Sequence, residues 1–127
     1  MAIDLASKYN AKLYIVEVID TEYLATLISG TSSLDAGKII EELRVKVSAD
    51  VRECIMLARS KGVEADGEVL EGDPATEILR YSEEIKADLI VTGSRGLSKW
   101  KRLLLGSVSN KIVSESKVST LVVKTPT

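Results

Sequence analysis

The stretch Gly93-Ser94-Arg95-Gly96, followed by nine residues and then Gly106-Ser107-Val108-Ser109, has the residue types and spacing of a phosphate site. Glycines let a backbone approach a ligand closely, because no side chain stands between. A helix starting at Ser107 would present unpaired N–H groups and the positive end of its dipole, an arrangement that suits an anion. The hydroxyls of Ser107 and Ser109 add candidate donors, and Arg95, Lys99, Lys101 and Arg102 make the intervening loop basic within an acidic chain. Taken singly, each glycine reads as a turn residue and Ser107 as a helix start. Together, the order strand, glycine pair, basic loop, Gly-Ser, helix is the order a phosphate site needs. The stretch is neither a Walker loop, which requires GxxxxGK[ST], nor the dinucleotide pattern GxGxxG.

The elements that must position this loop follow from periodicity. Ala2, Leu5, Ala6 and Tyr9 share one helical face, and Asn10 can take the left-handed conformation that ends a helix. Residues 13–19 are almost continuously apolar, which predicts a strand buried on both faces of a parallel sheet. Residues 20–33, rich in Ser, Thr and Gly, read as a loop. A long helix is expected over 34–61, with Ser33 before it and Gly62 after it. Its buried stripe would be Ile40, Leu43, Val47, Val51, Cys54 and Ala58. Residues 63–70 alternate like a partly exposed edge strand. Asp73-Pro74 starts a helix whose inward face is Ile78, Leu79, Ser82 and Ile85. Residues 88–92 read as a short buried strand ending at Gly93, 107–115 as a helix and 120–123 as the last strand. Strands alternating with helices predict an α/β fold: an open parallel sheet with helices on both faces and right-handed crossovers, in a single domain over residues 1–127.

Composition narrows the chemistry. The chain has 127 residues, 45% of them hydrophobic and 28% charged, with a net charge of −2, two prolines, one cysteine and no histidine. A His-based triad and the common zinc sites are therefore excluded. Cys54 is read as a small core hydrophobe, since no histidine is present to activate it. The net charge points to no nucleic-acid partner. No apolar run approaches the ~18–20 residues of a membrane span, and the N-terminus lacks the basic and apolar segments of a signal peptide. The expected location is cytoplasmic.

The motif resembles the nucleotide-binding signature of the universal stress protein family, and the resemblance extends along essentially the whole chain. Val16-Glu17-Val18-Ile19-Asp20 is similar to that family's V-x-D strand ending, and Glu71-Gly72-Asp73-Pro74-Ala75 to its G-x-P segment. Asp88-Leu89-Ile90-Val91-Thr92-Gly93-Ser94-Arg95-Gly96 resembles its D-L-I-V-x-G-x-x-G, and Leu105-Gly106-Ser107-Val108-Ser109 its L-G-S-V-[ST]. The resemblance implies a five-stranded sheet in the order 3-2-1-4-5 and bound ATP, or AMP, with Mg²⁺ or Mn²⁺ held through the phosphates. By position it places Val18 against the adenine. Thr92, Gly93 and Gly96 would lie along the ribose and phosphates, and Gly106, Ser107, Val108 and Ser109 would hold the phosphate tail. It also implies a homodimer joined along the last strand, from Val118 to Lys124.

The sequence departs from the family pattern at its start. It begins inside what is the first helix in relatives, without the first strand and the Asp that ends it. The expectation is that such a strand lies upstream; the alternatives are direct pairing of its two neighbours or a strand supplied by a partner chain. The leading functional reading is an ATP-binding regulatory, stress-response protein. A slow ATPase or self-phosphorylating protein is a second class, in which Asp20 or Asp73 would act near a metal. A nucleotide-free homodimeric interaction module is a third.

Overall fold

A computed structural model describes residues 1–29, 33–93 and 106–124. In chain order the elements are α1 (Ala2–Tyr9), β1 (Leu13–Ile19), α2 (Thr21–Ile28), α3 (Ser33–Ser60), β2 (Ala65–Glu71), α4 (Pro74–Glu84), β3 (Leu89–Gly93), α5 (Ser107–Glu115) and β4 (Ser119–Val123). The chain divides into two compact units, Met1–Asp73 and Pro74–Thr127. Each is an α/β unit with one pair of parallel strands.

In the first unit β1 pairs with β2 in parallel, from Leu13 opposite Ala65 to Ile19 opposite Glu71. Parallel neighbours require a crossover, and α3 supplies it. α1 ends as its sequence predicts: Asn10 adopts φ 52° and ψ 44°, and backbone N–H groups at this end reach the carbonyls of Ala6 and Ser7. Gly62, at φ +80°, turns the chain out of α3. Among the described residues two apolar clusters hold the unit together. Ala6, Ala58, Val63 and Ala65 form one, with Ile3, Leu13, Ile15 and Ile55 packed against it. Ile19, Val47 and Val51 form the other, with Leu24, Leu43 and Val69. Arg44 on α3 donates to Glu71 at the end of β2 at 2.8 Å and to Glu41 at 3.1 Å. Glu71 first, and Glu41 second, raise the guanidinium's affinity for its proton.

Three expectations change here. Residues 21–28, read as loop, are the helix α2: the Asp20 carboxylate accepts from the Tyr23 N–H at 2.9 Å, and Leu24 packs beside Ile19 and Val47. Cys54 is exposed rather than part of the core. The helix turns Ile55, four residues after Val51, toward the sheet, which carries Cys54 to the border of the stripe. Residues 13–19 are not buried on both faces; among them only Ile19 is fully buried and Glu17 is exposed.

In the second unit β3 pairs with β4 in parallel, from Leu89 opposite Ser119 to Gly93 opposite Val123. Its core is Ala75, Ile90 and Ile112, surrounded by Ile78, Leu79, Val108 and Val118. β3 is less buried than its apolar sequence suggests: Ile90 is buried, while Leu89 is 43% exposed. Lys111 donates to the Thr76 hydroxyl at 3.1 Å, and Lys117 pairs with Glu83 at 3.3 Å. Taken in order, Lys111 with Thr76 and then Lys117 with Glu83, the two contacts have α4 and α5 side by side and pointing the same way.

Candidate functional site

β3 ends at Thr92 and Gly93, both at the carboxyl end of a parallel strand. In open α/β sheets that end is where ligands are held. The chain returns to described structure at Gly106, which is extended at φ −62° and ψ 159° and precedes the first turn of α5. No side chain among the described residues caps this helix. Its first internal bond runs from the Asn110 N–H to the Gly106 carbonyl at 2.9 Å. The N–H groups of Ser107, Val108 and Ser109 therefore precede any helical acceptor. The contrast with α2 is direct, since there Asp20 places a carboxylate on the first turn. At α5 no described side chain takes that place, and the helix dipole favours a negative acceptor there.

The three first-turn residues have different surroundings. Ser107 is exposed, Val108 is half-buried against the Ala75–Ile90–Ile112 core, and Ser109 is only 4% exposed. The Ser109 hydroxyl donates to the carbonyl of Gly93. This bond ties the start of α5 to the end of β3, across sixteen positions of sequence. It closes the base of the segment that carries Gly96 and the basic residues Arg95, Lys99, Lys101 and Arg102, all of which lie outside the described residues.

Of the residues expected from sequence, Thr92, Gly93, Gly106, Ser107, Val108 and Ser109 belong to the second unit, and the Ser109–Gly93 bond joins both sides of the motif. Val18 belongs to the first unit. It is half-buried on β1, opposite Leu70 in register and next to the buried Ile19. Sequence reasoning treated the two serines alike and passed over Lys111. That ammonium sits one turn beyond Ser107 and is held by α4, and the signal for it was its i+4 spacing from Ser107. No group of three or more Cys, Asp or Glu side chains able to hold a metal occurs among the described residues. Asp20, weighed as a metal-side carboxylate, is the cap of α2.

A family model described as the Universal stress protein family matches residues 1–124. Universal stress protein MJ0531 of Methanocaldococcus jannaschii is 34% identical over 126 residues, which is 98% of this chain and 72% of that protein. Among solved structures, hypothetical protein MJ0577 matches with a TM-score of 0.81 at 21% identity, over 99% of this chain and 87% of its own. A universal stress protein in complex with cAMP matches with a TM-score of 0.67 at 27% identity, over 98% of this chain and 86% of its own.

Proposed function

The chain belongs to the universal stress protein family, and from that premise we propose that it is an adenine-nucleotide-binding regulatory protein whose principal ligand is ATP. The observation that carries this reading is the N-terminus of α5, capped by no side chain among the described residues, beside the carboxyl end of β3. Three first-turn N–H groups, the exposed Ser107 hydroxyl and the helix dipole converge where a phosphate group would be received. The cAMP held by a structural relative supports adenine as the base. Val18 takes the adenine, Thr92, Gly93 and Gly96 the ribose and first phosphates, and Gly106, Ser107, Val108 and Ser109 the phosphate tail. Mg²⁺ or Mn²⁺ enters with the nucleotide, bound to its phosphates.

On this reading residues 1–127 act as one domain, which the match of a single family model over residues 1–124 supports. The protein works in the cytoplasm and as a homodimer, joined through β4. Thr120, Leu121, Val122 and Val123 are all half-buried, and among the described residues β4 is paired along one edge only, by β3. An apolar edge of this kind pairs readily with another chain.

Purification without added nucleotide, acid release and chromatography of the released material test the proposal. ATP or AMP is expected at near one equivalent. A nucleotide-free protein that also fails to take up ATP in calorimetry would leave the interaction-module reading in its place.

A further inference from the structure

α3 buries one side and exposes the other. Val47, Val51 and Ala58 face the sheet, each 6% exposed or less. On the opposite side Lys38, Glu42, Val45, Ala49, Arg52 and Met56 are all exposed, Val45 at 64% and Met56 at 63%. These six are spaced four, three, four, three and four residues apart. That spacing puts all six along one face of the helix, with the apolar Val45, Ala49 and Met56 among charged residues. This seam runs from Lys38 to Met56, about 27 Å at 1.5 Å per residue.

The order of residues along the seam is self-complementary. A second α3 laid antiparallel, with a two-fold axis level with Val47, sets Val45 opposite Ala49, Glu42 opposite Arg52, and Lys38 opposite Met56. Each contact occurs twice, as a two-fold interface requires. The centre is small and apolar. An ion pair closes it on each side, and at each end the lysine's methylene stem covers the methionine. Neither Glu42 nor Arg52 forms an ion pair with another described residue, so both are available to a copy. A parallel copy would set Glu42 against Glu42 and Arg52 against Arg52, so the charges select the antiparallel arrangement.

We propose that this outer face of α3 is a self-association surface, and that its occupant is the α3 of a second copy of this chain. The surface is separate from β4 and does not depend on nucleotide. A single helix seam is small beside a standard interface, so association through it alone is weak and concentration-dependent.

Cys54, the only cysteine and exposed on α3, allows a direct test on the full chain. Across the seam the two Cys54 residues are offset by fourteen positions, about 21 Å along the axis. With helices 8–10 Å apart, spin labels on them should lie on the order of 30 Å from each other. Pulsed dipolar spectroscopy at roughly 100 µM protein should show this distance. Glu42→Arg or Arg52→Glu alone sets like charges opposite each other and should weaken the association on the order of tenfold, without changing the melting temperature. An equimolar mixture of the two single variants should restore the distance, since each then meets its complement. The double variant Glu42→Arg/Arg52→Glu should keep it. A dimer held only by β4 would give a distance that these reversals leave alone. That result, failure of the mixture to restore the signal, or absence of the distance in the unaltered chain would overturn the proposal.

Discussion

Ser107 and Ser109 are two positions apart and carry the same hydroxyl, yet the structure gives them different work. Ser107 is exposed on the first turn of α5, whereas Ser109 is buried and its one hydroxyl hydrogen is committed to the Gly93 carbonyl. Under the proposed function, Ser107→Ala removes a hydrogen bond to a charged phosphate, an interaction of about 1.5–3 kcal/mol or roughly ten- to a hundredfold in affinity. It should weaken ATP far more than adenosine and leave the melting temperature in place. Ser109→Ala instead breaks the tie between β3 and α5, at a cost of about 1 kcal/mol to the fold. It should lower the melting temperature by a few degrees, and Ser109→Thr should recover most of that loss. Calorimetric titration with ATP and adenosine, alongside thermal melts, checks both. Equal losses of ATP and adenosine in Ser107→Ala would remove Ser107 from the phosphate site.

At the scale of elements, the first unit depends on two local details. α2 is short and exists because Asp20 caps it and Leu24 reaches the core. Asp20→Ala should cost about 1 kcal/mol, as loss of an N-cap commonly does, while Asp20→Asn, which can still accept, should cost little. Amide exchange over residues 21–28 would report the difference. The second detail is Gly67, opposite Ile15 in the β1–β2 ladder. A Cβ there would run into the Ile15 carbonyl oxygen and lie 3.2 Å from Ile55 Cδ1. Backbone cannot step aside as a flexible side chain can, so Gly67→Ala should destabilise by about 1–3 kcal/mol. A lower urea midpoint with an unchanged slope is the expected result. A midpoint equal to that of the unaltered protein would mean that β1 and β2 approach less closely than the structure has them.

For the whole molecule, the prediction concerns assembly. If β4 pairs with its symmetry mate, Val122→Pro should remove a ladder hydrogen bond and move the protein toward monomer in sedimentation. Val122 lies opposite Thr92 in the ladder with β3, so a thermal melt must accompany the measurement. A folded variant with unchanged mass would place the interface elsewhere. The α3 seam gives the outcome a second dimension: Val122→Pro should leave the Cys54–Cys54 distance intact, while a single charge reversal, at Glu42 or at Arg52, should weaken it.

Much of this protein is legible in its sequence, because the signals are local. The apolar stripe of α3 apart from Cys54, the turn at Asn10, the span of α5 from Ser107 to Glu115 and the spacing of the glycines all depend on neighbours a few residues away. The family pattern is legible for the same reason. What sequence could not settle depends on how one element docks against another. Cys54 and Ile55 are both apolar and adjacent, and only the angle at which α3 meets the sheet sends one to solvent and the other into the core. Residues 21–28 look like loop until Leu24 finds Ile19 and Val47. Ser107 and Ser109 read alike until the packing of α5 on β3 buries one hydroxyl against Gly93 and leaves the other facing outward. Periodicity determined the elements other than α2; the contacts between elements, made across many residues of chain, decided which side chains were left exposed to bind.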